Sequence, residues 1–88
     1  MARIFISGST DGLGRAAAQA LLEEGHEVVL HARNLARAAS ADDLAVRAAG
    51  VVVGDLASAG ETGSVADQVN AIGRMDAVIH NAGIYLCR

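Results

Sequence analysis

Residues 7–14 read SGSTDGLG, and this glycine cluster separates the first strand-like run of the chain from the first helix-like run. The run Ile4 to Ser7 before it is apolar and β-branched, which is typical of a buried strand that feeds a tight turn. The apolar residues after it follow helical spacing, and Gly25 is placed to end that helix. They are Leu13, Ala16, Ala17, Ala20 and Leu21. The sequence therefore predicts strand, glycine turn and helix in succession.

The rest of the chain repeats this alternation. Short apolar runs at 28–30, 51–53 and 77–79 predict three more strands, and their lack of polar alternation indicates burial on both faces of a parallel sheet. The order βαβαβαβ predicts an α/β fold, a three-layer Rossmann-type sheet with right-handed crossovers and strand order 3-2-1-4. This is half of the full doubly wound fold, and it leaves the fourth strand as an unpaired apolar edge.

Three cap signals set the predicted helix starts. Asn34 caps a short helix through residue 39, and Ser40 with Asp43 caps a second one over 44–49 that ends at Gly50. Ser64 with Asp67 begins a third helix that ends at residue 73. The apolar stripe of this helix is Val65, Val69 and Ile72.

Composition limits the class of protein. With 52% hydrophobic and 19% charged residues in 88, the chain is expected to fold as one domain, residues 1–88. All seven basic residues are arginines and the net charge is -3, which disfavours nucleic acid and anionic membranes as partners. The single cysteine, Cys87, excludes an internal disulfide and favours the cytoplasm, and no apolar run is long enough for a membrane span.

The glycine turn has the composition of an anion site. Gly8 allows a sharp exit turn, Gly12 allows the main chain to approach phosphates closely, and Gly14 allows the helix to pack near the strand. Amides at the start of the helix and its dipole favour a bound anion, and the hydroxyls of Ser9 and Thr10 are auxiliary donors. The alternative is a plain connecting loop.

The spacing G-x-x-x-G-x-G resembles the fingerprint T-G-x-x-x-G-x-G of the short-chain dehydrogenase/reductase family, with Ser7 in place of the threonine. Two further motifs agree. Asp55 and Leu56 resemble the family's D-[LV] pair, and residues 80–83, HNAG, resemble its N-N-A-G, with His80 in place of the first asparagine. The resemblance covers nearly the whole chain but only the cofactor-binding half of the family.

The resemblance implies roles for these residues. The Asp55 carboxylate would accept a hydrogen bond from the adenine amino group, the amide of Leu56 would donate to the ring, and Asn81 to Gly83 would line the ribose side. The alternative for Asp55 is that it organises the turn after Gly54. We interpret His80 as a structural residue, because buried polar groups are usually satisfied by neighbouring backbone.

The expected cofactor is NADP(H) in preference to NAD(H). Arg33 lies 19 positions beyond Gly14, where NAD-dependent relatives carry an acid, and an arginine fork matches a 2′-phosphate. Asp11 opposes this choice through its charge, and the alternative for Arg33 is a solvated surface residue. The predicted cofactor contacts are Gly8, Ser9, Thr10, Asp11, Gly12, Leu13, Gly14, Arg33, Asp55, Leu56, Asn81, Ala82 and Gly83.

No catalytic or metal-binding residue is predicted. The family transfers hydride between nicotinamide and a carbonyl or alcohol carbon, and it uses a serine and a Y-x-x-x-K segment that this sequence does not contain. Tyr85 is the sole tyrosine, and a lysine four residues later would fall beyond Arg88. We expect Tyr85 to pack or to line the cofactor cleft.

Two functions remain open from sequence. In the first, the chain is the NADP(H)-binding leading part of an oxidoreductase with a small-molecule substrate, truncated before its catalytic segment. In the second, it is a non-catalytic dinucleotide-binding or interaction module that forms homo-oligomers through its fourth strand. The substrate cannot be read, because the loops that line the substrate pocket of this fold follow later strands.

Overall fold

The computed structural model describes residues 2–10 and 12–80, which form four strands and four helices. The strands are β1 (Arg3–Ser7), β2 (Glu27–Ala32), β3 (Gly50–Val53) and β4 (Ala77–His80). The helices are α1 (Gly12–Glu23), α2 (Leu35–Ala39), α3 (Asp42–Ala45) and α4 (Ala59–Ile72). Among these helices, none has both the length and the apolar character needed to cross a membrane.

The strands pair in the order β3-β2-β1-β4, and every pair is parallel. This confirms the predicted strand order and leaves β4 at an edge of the described sheet, where Val78 and Ile79 are 50% and 39% exposed. Strand β2 is longer than the predicted run at 28–30, because it continues beyond Leu30 to Ala32. His31 therefore lies inside the sheet.

Helices cover both faces of the sheet, so the three-layer prediction is confirmed. Alternate residues along a strand point to opposite faces, and each face has its own apolar cluster. One cluster joins β1 and β2 to α1 and α3 through Ile4, Ile6, Val28, Leu30, Ala18 and Leu44. The other joins β1, β2 and β3 to α4 through Phe5, Val29, Val52 and Val65.

The start of α4 differs from prediction. Its cap is Ser58, whose Oγ accepts a hydrogen bond from the Glu61 amide at 3.3 Å, and Ser64 lies within the helix. Ser58 and Glu61 are themselves a capping pair in the sequence. The two glycines at 60 and 63 made that segment resemble a loop. The predicted stripe of Val65, Val69 and Ile72 does pack against the core.

The second cap prediction is also wrong. Asn34 caps α2 as expected, and its Oδ1 accepts from the Arg37 amide. Ser40, however, closes that same helix, because its Oγ donates to the Arg37 carbonyl at 2.7 Å. Consequently α3 begins after Ala41 without a side-chain cap, and Gly50 belongs to β3.

The buried face of α1 is displaced from the predicted stripe. Gly14 and Ala18 are buried, whereas Leu13 is 81% exposed. Alanines occupy both sides of this helix, so the apolar periodicity gives little contrast between its faces. Leu13 therefore stands in solvent in the first turn of α1, beside the glycine turn.

Candidate functional site

The predicted site residues gather at the carboxyl edge of the sheet. The glycine turn follows β1, Arg33 follows β2, and Asp55 follows β3. Parallel pairing places Ser7 opposite His80 at this edge. In open α/β sheets ligands bind at this edge where the strand order reverses, which here lies between β1 and β4.

The backbone of the glycine turn requires glycine at two positions. Gly8 and Gly12 have φ of 63° and 59°, in the left-handed region that L-residues rarely adopt. A Cβ added at Gly12 would meet no protein atom within 4 Å. The space above Gly12 is therefore open toward solvent, and a close ligand would use it.

The start of α1 supplies the donors for an anion. The first backbone amides of a helix have no partner within the helix, and the helix dipole is positive there. The first turn of α1 contains no acidic side chain. Open space over a glycine backbone, next to these amides, fits the diphosphate of a dinucleotide.

Ser9 has a different partner from the one expected. Its side chain is fully buried, and its Oγ accepts from the His31 amide at 2.7 Å and donates to the His31 carbonyl at 3.3 Å. The Ser9 amide also donates to that carbonyl, at 3.1 Å. Ser9 thus ties the turn to β2 through its hydroxyl and its amide. Thr10 is 8% exposed in the same turn.

His31 is the functional candidate that sequence reasoning missed. Its side chain is buried, its Nδ1 accepts from the Gly8 amide at 2.8 Å, and its Nε2 is hydrogen-bonded to the Gly54 carbonyl at 2.7 Å. Phe5 packs against the ring edge to face, with the ring centres 6.2 Å apart. The signal was present, since His31 interrupts an apolar strand run directly before the Arg33 position.

Asp55 organises the corner after β3. Its Oδ1 accepts from the Ala57 amide at 2.9 Å, and its own amide donates to Glu61 Oε1 at 2.8 Å. This is the turn role considered as the alternative. A carboxylate accepts several hydrogen bonds, so the turn does not use the full capacity of the group. Leu56 follows it, half-buried.

Charged side chains around the edge are exposed. Arg33 is exposed directly after β2. Arg15, one residue beyond Gly14, pairs with Asp43 of α3. The hydrogen bond from the Arg15 guanidinium, assisted by its charge, lowers the pKa of the Asp43 carboxyl below its ordinary value of 3.8.

The last strand carries one correction. His80 is exposed and lines an apolar cleft with Phe5, Val65 and Val78, so it is not the buried residue that we expected. Partial solvation of β4 at the edge of the sheet explains this. The predicted contacts at Asp11, Asn81, Ala82 and Gly83, together with Tyr85, lie outside the described residues.

Comparison with known proteins assigns the family. The family model described as short chain dehydrogenase matches residues 2–87. The chain belongs to this family. Similar proteins include the uncharacterized oxidoreductase AN7799 of Emericella nidulans, 57% identical over 96% of this chain and 33% of that protein. The short-chain dehydrogenase chry4 of Gibberella zeae is 54% identical over 96% of this chain and 32% of that protein.

Solved structures agree. A short chain dehydrogenase from Salmonella enterica serovar Typhi superposes with a TM-score of 0.75 at 34% identity, over 93% of this chain and 37% of that one. The chain spans about a third of the length of the curated relatives that it matches. The family is one of oxidoreductases, and its members bind a nicotinamide dinucleotide.

Proposed function

We propose that this chain is the NADP(H)-binding part of a cytoplasmic short-chain dehydrogenase that transfers hydride between nicotinamide and a carbonyl or alcohol carbon of a small-molecule substrate. The observation that carries the proposal is the glycine turn, in which Gly12 combines a φ of 59° with open space beside the start of α1. A diphosphate with two negative charges is the ligand that suits backbone amides presented in this way.

The chain binds and orients the cofactor in this proposal. Amides at the start of α1 hold the diphosphate, Arg33 pairs with the 2′-phosphate, and Asp55 and Leu56 contact adenine. The segment from Asn81 to Gly83 lines the ribose side. A bound nicotinamide supplies the carbon that donates or accepts hydride. The serine and the Y-x-x-x-K segment of the family are not among these 88 residues, so we assign no catalytic role to a side chain of this chain.

The choice of NADP(H) depends on charge. Residues 31–34 read HARN, with an exposed Arg33 and no acid that would repel a 2′-phosphate. A guanidinium donates two parallel hydrogen bonds to a phosphate and remains charged at all relevant pH values. Asp11 acts in the opposite direction, so the expected preference is a ratio of affinities rather than absolute exclusion of NAD(H).

Titration of the chain with NADPH and NADH tests this proposal. We expect tighter binding of NADPH, and Arg33→Ala should weaken NADPH by about 10- to 100-fold, the value of a charge-assisted hydrogen bond, while leaving NADH little changed. Arg47→Ala removes another exposed arginine and is the matched control. Equal affinities for the two cofactors, or a loss shared equally by both in Arg33→Ala, would remove the assigned role.

A second candidate is a dimerising dinucleotide-binding module without catalysis. The exposed apolar edge of β4, with Val78 half exposed, favours it, because such edges pair with another chain. Size-exclusion chromatography separates the candidates: a dimer or larger species supports edge pairing, and a clean monomer counts against it.

A further inference from the structure

His31 stands between two corners of the candidate site. The Gly8 turn, next to the predicted diphosphate position, donates to one ring nitrogen, and the Gly54 corner, next to Asp55, bonds to the other. The side chain is 2% exposed and packs edge to face with Phe5. One ring therefore spans the carboxyl ends of β1 and β3 across the strand that lies between them.

The two hydrogen bonds define the state of the ring. The Gly8 N–H can donate to Nδ1 only if Nδ1 carries no proton, so in the neutral imidazole the proton is on Nε2 and is donated to the Gly54 carbonyl. Both ring nitrogens are used, and the half-buried Gly8 amide and the buried Gly54 carbonyl are each satisfied. A buried group left unsatisfied is costly, so neither corner can move away without a penalty.

We infer that His31 is a positioning residue for the dinucleotide, which fixes the glycine turn and the Gly54 corner at one separation. This inference rests on the proposed function. Because the Gly8 amide is already bonded to the ring, the turn is held in place before a ligand arrives. The diphosphate end and the adenine end of the cofactor then meet a site whose spacing is already set, which lowers the ordering cost of binding.

Ser9 strengthens the attachment on the side of the glycine turn. Its Oγ and amide bind the backbone amide and carbonyl of the same residue, His31. On the side of β3, the Gly54 amide donates to the Ala32 carbonyl at 2.9 Å, one residue beyond His31. The end of β2 is thus bonded to both corners by backbone groups as well as by the ring, which itself bonds to both.

Two substitutions at His31 separate its two hydrogen bonds. His31→Gln places an amide nitrogen near the position of Nε2, so it keeps the donor to Gly54 and loses the acceptor for Gly8. His31→Asn places an amide oxygen near the position of Nδ1, so it keeps the acceptor for Gly8 and loses the donor to Gly54. Two ligands probe the ends of the site: NADPH spans both corners, and adenosine 2′-phosphate reaches the adenine corner alone.

His26 provides the matched control. It directly precedes the amino end of β2, and its Nδ1 accepts from the Ala2 amide at 3.0 Å. His26→Gln removes the same kind of acceptor from the same strand pair, at the edge of the sheet remote from the glycine turn. Both substitutions remove an acceptor and are expected to lower stability, His31→Gln more than His26→Gln, whereas a positioning role weakens ligand binding by the folded chain in His31→Gln alone.

We expect His31→Gln to raise the Kd of NADPH about tenfold, the cost of one hydrogen bond, with little change for adenosine 2′-phosphate. His31→Asn should weaken both ligands, and His26→Gln neither. Amide hydrogen exchange without ligand should be faster at Gly8 in His31→Gln than in the unsubstituted chain.

The outcomes separate the two proposals. Unchanged NADPH affinity in His31→Gln, equal losses for both ligands, or unchanged exchange at Gly8 would overturn the positioning role while the proposed function stands. If the unsubstituted chain does not bind NADPH, the proposed function fails, and this role for His31 fails with it.

Discussion

The two ends of β2 show one interaction in two environments. At the amino end, His26 accepts the Ala2 amide, and Arg3 pairs with Glu27 at 2.8 Å with both side chains at least one-third exposed. At the carboxyl end, His31 accepts the Gly8 amide, and its side chain is 2% exposed. The side chains at the amino end exchange protein partners for water more readily than the buried His31 ring does, so the geometry is held more firmly where the ligand is expected.

The free-energy cost of losing a contact therefore differs between the two ends of β2. Exposed ion pairs such as that of Arg3 with Glu27 contribute about 0–1 kcal/mol. Leaving a buried polar group without a partner costs about 1–3 kcal/mol. Substitutions at the carboxyl end should therefore change both stability and ligand binding, and those at exposed contacts should change stability slightly.

The largest expected effect is at Gly12. Gly12→Val places a β-branched side chain at a φ of 59° and fills the open space over the turn. We expect the Kd of NADPH to rise by about 100-fold or more, equivalent to about 3 kcal/mol. Isothermal titration calorimetry on a variant shown to be folded by circular dichroism measures it.

The control for Gly12→Val is a glycine where a side chain is harmless. Gly63 is exposed in α4, has no positive φ, and a Cβ there would meet nothing within 4 Å. Gly63→Ala should raise the free energy of unfolding by up to about 1 kcal/mol and leave NADPH binding intact. Retained affinity in a folded Gly12→Val variant would contradict the placement of the diphosphate.

A smaller effect is expected at the other corner that His31 holds. A Cβ at Gly54 would lie 2.5 Å from Val65 Cγ2 and 3.1 Å from the Glu61 carbonyl oxygen, so Gly54→Ala forces α4 away from the end of β3. We expect a loss of about 1–3 kcal/mol in the free energy of unfolding, as for other overpacked sites. Urea denaturation measures this, and wild-type stability would show that α4 moves without cost.

The sequence was sufficient for the number and order of the strands and for a candidate site at their carboxyl ends, and insufficient for contacts across the sheet. Continuous apolar runs and the glycine spacing identify β1 to β4 and the turn directly. His31 interrupts an apolar run, but its role was not assigned, because its partners Gly8 and Gly54 lie 23 residues away in the turns after β1 and β3 and contribute only backbone atoms. The cap errors at Ser40 and Ser64 arose because one serine can close the helix before it or lie within a helix.

The smallest expected effect tests whether exposure or position decides the outcome. Arg15 lies one residue beyond the glycine turn and forms an exposed pair with Asp43. This pair is close to the candidate site, as the contacts at the carboxyl end of β2 are, but it is exposed to solvent, as the contacts at the amino end of β2 are. The hydrogen bond from Arg15 lowers the pKa of Asp43 in the folded state below 3.8. A lowered carboxyl pKa stabilises the fold above the unfolded value, and that contribution is lost as the pH falls through the folded value. Asp43→Asn should therefore lower the Tm slightly at neutral pH. The difference in Tm from wild type should vanish once the pH falls below the folded-state pKa of Asp43, which is itself below 3.8. NADPH affinity should not change.

Asp42→Asn removes a neighbouring exposed charge from the same helix and is the control. A marked loss of NADPH binding in Asp43→Asn alone would mean that nearness to the glycine turn, rather than burial, controls the site.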